Sequence, residues 1–359
     1  MTTSKKRKQR HHTVPRLHLR GFATREEMLV QLDLSTGRRT DVSVGDATVI
    51  KNFYTIVLPD GSRSDAWEDW LSDIENEIAP AVRRAIDMRG FRLNDDEREL
   101  LARWIALQYL RGPDNRAQQA AVASFAVRAQ VGMGGLAYLQ YAMSQGLGRD
   151  VPLEEAEMVW DDITSEAGPQ VTVSGDDHLA ILSHALDEAT NQILGRSWGR
   201  LRFGRHRLAV SDAPVNLVRD SDFAGGGLAG SRAVTVPLDR KTLLWLELPG
   251  PDGPRIDWDL EPSTFLARAH NSSAVAGAER FIYFHPDDDP VPAGTVLPRP
   301  RPERLKISGG LASFSNRDRS LDDVLDQIAG RTGVADGSLV ADYTWPIDGY
   351  EPPQRPVSA

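Results

Sequence analysis

Three of the chain's eight histidines and two arginines fall within twelve residues, His11-His12-Thr13-Val14-Pro15-Arg16-Leu17-His18-Leu19-Arg20-Gly21-Phe22. Imidazole moves protons or ligates metals near neutral pH, and guanidinium grips phosphates and carboxylates. His11 and His12 are adjacent, so in a strand they face opposite ways and only one can line a given site. His12 is the better candidate, because Val14 alternates with it and Pro15 fixes the bend that follows.

Other candidates are polar residues that interrupt apolar stripes. A helix is expected from Asn94, where Asn94 and Glu97 form a capping-box pattern. At 100° per residue Leu100, Leu101 and Trp104 lie within an arc of about 100°. Gln108 and Arg111 fall inside that arc. A buried guanidinium must meet a carboxylate, a phosphate or a helix end. Glu75, on the edge of the preceding helix's stripe, is its natural partner if the two helices pack as a hairpin. That pair is structural unless a ligand or metal shares the carboxylate. Asp212, in Ser211-Asp212-Ala213-Pro214, follows a strand, a position from which carboxylates hold catalytic metals; an Asx turn into Pro214 is the bland alternative. Asn271, at the end of a helix, could cap the helix or touch a ligand.

Composition narrows the classes. The 359 residues contain no cysteine, which excludes disulfides, thiolate metal sites and a cysteine nucleophile. No run of about 18 apolar residues is apparent, so no transmembrane helix is expected. No apolar segment follows the basic start, so no signal peptide is expected and a cytoplasmic protein is the reading. The net charge is −9, yet the first 20 residues carry +7 and the remainder −16. An acidic body is a poor general binder of nucleic acid, although Lys5-Lys6-Arg7-Lys8 could touch it. There is no His-Glu-x-x-His, Gly-x-Ser-x-Gly or Walker A sequence, and the glycine loop at 225–230 lacks phosphate-loop spacing.

The elements that must position these residues read as strand, helix, strand. Met28–Leu34 alternates, turns at Ser35-Thr36-Gly37 and can return over Arg38–Val44. Asn52–Val57 is a further expected strand. A helix over about 65–86 carries Trp67, Leu71, Ile74, Ile78, Val82 and Ala85 on one stripe, with a kink expected at Pro80. Helices continue to about 196. Leu201–Val210 reads as a hairpin or two strands, Ala233–Leu238 and Thr242–Leu248 as strands, Ser263–Gly277 as a capped helix and Arg280–Phe284 as a last strand. Leu321–Ile328 is helical. The expected class is α+β. The N-terminal strands (11–58) and C-terminal strands (198–285) are expected to share one mixed or antiparallel sheet around a helical middle (65–196). Residues 1–10 form a basic tail, 11–285 one domain, and 286–359 a Pro-rich, partly disordered tail.

These positions are where the chain resembles an uncharacterised bacterial family, domain of unknown function 4238. The family's His-x-Val-Pro and Leu-Arg-x-Phe correspond to His12–Pro15 and Leu19–Phe22. Lys51-Asn52-Phe53-Tyr54 follows, then Ile74-Glu75. Leu107-Gln108, Arg111, Pro113 and Arg116 match a longer segment. Ser211-Asp212 with Pro214, then Pro237-Leu238, Asn271 and Arg280, complete the resemblance over residues 11 to about 285. Two positions depart from it: Ala213 stands where Asn is usual, and His18 where an aromatic often follows the Val-Pro. The resemblance implies membership and a residue set, with no reaction.

Three functions fit these residues. In the first, a metal-dependent phosphodiester hydrolase or nuclease, Glu75 and Asp212 hold a divalent cation such as Mg or Mn or act as base. His12 moves a proton, while Arg20, Gln108, Arg111, Arg116 and Asn271 bind substrate. In the second, the same arginines bind a phosphorylated small molecule or nucleic acid without turnover. In the third, they form a buried structural network.

Overall fold

The computed structural model describes residues 10–57, 61–165, 168–170, 175–218, 227–255, 257–291 and 315–331. The basic tail at 1–9, Gly225 and Gly226 of the glycine loop, and most of the Pro-rich tail lie outside them. The elements of the N-terminal part are β1 (Arg10–His12), α1 (Arg16–Arg20), β2 (Met28–Asp33), β3 (Arg38–Ser43), β4 (Val49–Lys51), β5 (Ile56–Val57), β6 (Arg63–Ser64), α2 (Ala66–Asp87) and α3 (Asp95–Leu110). The helices α4 (Pro113–Leu147), α5 (Leu153–Thr164) and α6 (Gly175–Leu194) follow. Then come β7 (Ser197–Arg202), β8 (Val210–Ser211), β9 (Asn216–Val218), β10 (Ala233–Pro237), β11 (Thr242–Glu247), β12 (Trp258–Leu260), α7 (Thr264–Gly277), β13 (Phe281–Phe284) and α8 (Leu321–Arg331).

The class is α+β, with helices and mainly antiparallel sheets. N- and C-terminal strands do share a sheet, antiparallel throughout, in the order β3-β2-β13-β8. A second sheet, β12-β7-β11-β10-β9, is built from the C-terminal strands alone and includes one parallel pair, β12 with β7. The segment 201–210 is therefore no hairpin. After Arg202 the chain leaves the five-stranded sheet, and it joins the other only at Val210. The 52–57 strand was shorter than expected, and β6, β9 and β12 were unforeseen. Asn52 turns in the left-handed region (φ 55), so only Ile56–Val57 of the expected 52–57 strand is extended, and β12 carries no alternation of its own.

Contact density divides the chain into two units. The first takes the described residues of Met1–Asn115 and Gly175–Arg301, the second those of Arg116–Ser174 and Pro302–Tyr343. In the first unit the alternation along β11 sorts two cores. Leu244 and Leu246 face α2, α3 and α6 (Trp67, Ile78, Trp104, Ile105, Leu182). Leu243 faces the other way, with Leu201, toward Leu29 of β2, Val210 and Tyr283 of the four-stranded sheet, and Val14, Leu19 and Phe22 of the opening motif. Such a strand, covered on both faces, reads as a near-continuous apolar run. The helix α2 continues through Pro80, because buried side chains on either side of it, Ile74 and Ile78 before and Ala81, Val82 and Ala85 after, hold both halves against the same core. Asn94 and Glu97 close the expected capping box on α3, with Asn94 Oδ1 accepting from Glu97 N at 2.8 Å and Glu97 Oε2 accepting from Asn94 N at 3.0 Å.

In the second unit, α4 breaks at Gly135 (φ 84), and Leu136, Leu139, Val151, Ala156 and Trp160 form its core. The expectation that no segment is long and apolar enough to span a membrane needs correction. Asn115–Leu147 meets that test by length and composition, although 39% of its most apolar window is buried within the protein and the helix is interrupted at Gly135.

The opening motif docks on the β10–β11 turn. Gly21 O accepts from Arg240 N at 3.0 Å, and a Cβ on Gly21 would sit 2.7 Å from Leu238 O and 3.0 Å from Asp239 Cα. Both obstacles are backbone. Gly21→Ala is expected to destabilise the protein by about 1–3 kcal/mol, read as a lowered urea midpoint. An unchanged midpoint would show that this contact yields without cost.

Candidate functional site

The geometry of the opening motif starts with β1, which pairs antiparallel with β4 and so separates the two histidines. His11 is buried. Its Nδ1 accepts from Tyr54 N at 2.7 Å, and its ring stacks on Tyr54 at 5.6 Å between centroids. His12 is half-buried, with Nδ1 3.0 Å from Ala47 O and Nε2 accepting from Arg16 Nε at 3.0 Å. Because arginine can only donate, the proton must sit on Nδ1. Burial, then the Arg16 charge and more distantly Arg10 and Arg111, lower its pKa to about 4 against the pull of Ala47 O. His12 is therefore neutral at pH 7.

Pro15 ends the extended segment and opens α1, which buries His18 and Leu19 and leaves Arg20 outside. The His18 ring lies edge-on to Trp104 at 5.0 Å, its Nε2 is 2.5 Å from Pro237 O, and burial lowers its pKa to about 4.

Trp104, Gln108 and Arg111 occupy one face of α3 at spacings of four and three residues, and all are buried. Arg111, at the helix C-cap, has no exposed surface. Its Nη1 donates to Glu75 Oε1 at 3.2 Å and its Nη2 to Gln108 Oε1 at 3.0 Å. The α2–α3 hairpin thus forms the pair anticipated from the two stripes, with the Glu75 side chain about a quarter exposed. The Arg111 charge also reaches His18 and the Tyr54 hydroxyl, which burial pushes well above its usual value.

Five buried atoms around this cluster have no partner among the described residues: Arg111 Nε, Gln108 Nε2, Trp104 Nε1, Tyr54 Oη and His18 Nδ1. The first three can only donate, the Tyr54 hydroxyl can donate or accept, and His18 Nδ1 can only accept, its neighbour Nε2 being the donor to Pro237. The other fully buried arginines differ. Arg196 binds the carbonyls of Leu246, Leu228 and Ser231, and Arg200 binds Asp259 and the carbonyls of Ala85 and Met88. Those two knit backbone segments together, whereas Arg111 has only side-chain partners.

Three of the remaining expected site residues, Asp212, Asn271 and Arg20, are engaged by other groups of the first unit. Asp212 is a backbone clasp. Its Oδ1 accepts from Glu279 N at 2.7 Å and its Oδ2 from Arg280 N and Phe281 N, both at 2.8 Å, which ties β8 to the start of β13. Burial raises its pKa to about 6 against those three amides. Asn271 uses all its groups on backbone as well. Oδ1 accepts from Ala209 N at 3.0 Å, and Nδ2 donates to Arg207 O at 2.9 Å and Pro290 O at 3.1 Å. Arg20 sits on the surface against Glu27 at 2.7 Å. Arg116 belongs to the second unit and is half-buried, and desolvation lowers its pKa. A metal on Glu75 and Asp212 does not fit these residues. Glu75 Oε1 holds Arg111, Asp212 is spent on amides, and no group of three or more His, Asp or Glu comes together for a metal among the described residues.

Fold and cluster define an α+β protein with a buried, arginine-centred polar site. The chain belongs to the family described as "Protein of unknown function (DUF4238)", whose profile matches residues 10–288. No curated protein and no solved structure matches it.

Tyr54 and Trp104 were not anticipated as members of the cluster. Trp104 lay on the same computed arc as Gln108 and Arg111, so its indole N–H was open to the same argument. Tyr54 follows a left-handed turn at Asn52, where no periodicity points its side chain anywhere.

The buried histidines set a pH dependence. His18 and His270 are wholly enclosed, and burial lowers each from 6.5 to about 4. As pH falls the unfolded chain takes up these protons first, so stability is complete above pH 6.5 and declines from there toward pH 4. The loss is roughly 3 kcal/mol per histidine. His12 adds to it in the same sense. Asp212 opposes it, because its folded carboxyl takes a proton near pH 6 and the unfolded one only near 3.8. The expected result is a urea midpoint that falls between pH 7 and 4.5, with a shallower slope in His270→Gln. An identical slope in the variant would remove His270 as a cause.

Proposed function

We propose that this protein binds a small anion, or the phosphate or carboxylate end of a larger ligand, at the Arg111 cluster. The observation that carries the reading is the excess of buried donors there. Arg111 Nε, Gln108 Nε2 and Tyr54 Oη lack acceptors. A buried donor left unpaired costs about 1–3 kcal/mol, and an anionic oxygen is the acceptor that removes that cost. Because Arg111 occupies Gln108 Oε1, the Gln108 amide is fixed with its buried NH2 group left without an acceptor. His12 and His18 are neutral at pH 7, and the single N–H of each is already given to a backbone carbonyl, Ala47 O and Pro237 O.

Glu75 is the counter-charge a ligand must displace. Its single bond to Arg111 is long at 3.2 Å, and its side chain already reaches solvent. The anion takes its place on the guanidinium while the carboxylate turns outward. Metal-dependent phosphodiester hydrolysis has less support, since the carboxylate that would complete its metal site, Asp212, is committed to three amides. Nucleic acid remains within the binding reading only through a terminal phosphate, given the acidic body.

Two substitutions separate a ligand site from a structural network. Tyr54→Phe removes only the unpaired hydroxyl. It should leave the free protein as stable or more stable, while phosphate raises its Tm less than in wild type. Glu75→Gln removes the competing charge and should tighten phosphate binding severalfold by calorimetry. If neither inorganic phosphate nor a carboxylate such as acetate stabilises the wild-type protein, the cluster is a structural network and the proposal fails.

A further inference from the structure

A cavity of about 930 Å³ opens beside the loop that carries the chain from β7 to β8. Its walls are that loop (Arg205, His206, Arg207), one side of α7 (Arg268, Asn271) and the segment after β13 (Asp287–Val291). The volume lies at the upper end of the range typical of small-molecule sites, about 300–1,000 Å³. None of these residues belongs to the Arg111 cluster, so the inference stands apart from the binding proposed there.

The walls are fixed in place. Asn271 holds the loop through Ala209 and Arg207 and the opposite wall through Pro290 O. On the loop, Arg207 Nη1 donates to the carbonyls of Gly204 and His206 at 2.9 and 3.0 Å. His206 Nε2 lies 2.7 Å from Thr264 Oγ1 at the start of α7.

The charges in the cavity are unevenly spent. Asp289 is held by Arg39 at 2.9 Å. Asp288, only 5% exposed, meets Arg240 at 2.5 Å and Arg207 at 3.4 Å, and both contacts fall on the same oxygen, Oδ1. Its other oxygen, Oδ2, is buried without a partner among the described residues. Arg205 and Arg268 are exposed, and neither forms an ion pair among the described residues. Against these two free guanidiniums stands one carboxylate without an arginine partner, Asp287, whose side chain is 81% exposed and 3.6 Å from His285. The cavity thus offers two arginines for an anion and, on its wall, one buried acceptor for a hydroxyl or amino donor.

We propose that this cavity binds a phosphomonoester that also carries hydroxyl groups, of the sugar-phosphate class. Arg205 and Arg268 take the phosphate, each able to form a two-pronged contact with its oxygens. Asp288 Oδ2 accepts from a hydroxyl. A free anion satisfies only the first half of this arrangement and an uncharged sugar only the second.

Calorimetric titration of the intact protein with ribose 5-phosphate, inorganic phosphate and ribose tests this. Ribose 5-phosphate is expected to bind at least tenfold tighter than either of the others. The double variant Arg205→Ala/Arg268→Ala should lose that affinity by tenfold or more. Both arginines are exposed, so the variant should keep the wild-type Tm, and it leaves the Arg111 cluster untouched. Equal affinities for ribose 5-phosphate and phosphate, no saturable binding of ribose 5-phosphate, or undiminished binding by a folded double variant would each overturn the proposal.

Discussion

A guanidinium with no access to water is the constraint on which the centre of this protein depends. Removing the Arg111 charge from solvent costs several kcal/mol before any partner is counted. Its partners come from two sources. Gln108 is supplied locally, by helical spacing on α3. Glu75 is supplied only when α2 packs against α3, so the ion pair and the hairpin form together. An arginine has five N–H donors, and two bonds are made here. A network satisfied to that extent is a poor way to stabilise a core, because the same low dielectric that strengthens its bonds penalises each missing one. Arg196 and Arg200 show how the same chain buries guanidiniums where only stability is at stake. It meets most of their donors with main-chain carbonyls, three for Arg196 and two for Arg200, and leaves one nitrogen of each, Arg196 Nε and Arg200 Nη2, without an acceptor among the described residues.

The parts of the site that were legible in the sequence are those set by local geometry. Gln108 and Arg111 could be placed on a buried arc because α3 obeys a fixed angle per residue, and Glu75 because α2 does too. Asp212 and Asn271 were visible as polar residues in apolar surroundings, but their role was not. Both are satisfied by backbone groups tens of residues away, at 279–281 for Asp212 and at 207, 209 and 290 for Asn271. A backbone amide has no sequence signature, so a side chain that binds one resembles a side chain that awaits a ligand. Arg20 misled for the opposite reason. It ends a five-residue helix whose buried face is carried by His18 and Leu19, and its own direction is outward.

The fold divides along the same line. Alternation located the strands on either side of the turn at 35–37 and the hairpin of β10 with β11, where partners are neighbours in the chain. It could not say that β7 and β8, eight residues apart, serve different sheets. That depends on β13 and β11, each competing for one of them through pairings settled by distant segments. The parallel pairing of β12 with β7 is non-local in the same way.

This crossing between sheets links architecture to chemistry. A hairpin over 201–210 would have spent its polar loop on a tight turn. The crossover instead leaves Gly204–Arg207 spanning from one sheet to the other, with Arg207 folded back on its own loop carbonyls and Arg205 free. Asp212 then locks the strand on the far side of the crossing to β13, and Asn271 locks the loop to the segment beyond β13. Two residues that could be mistaken for ligands are thereby the reason the cavity walls are rigid. Rigid walls matter because a binding group must be held near its productive geometry before the ligand arrives. In both the Arg111 cluster and the cavity, the polar groups without protein partners sit beside others that are fully engaged. That contrast, rather than residue type, distinguishes a side chain that holds the fold from one still able to hold a ligand.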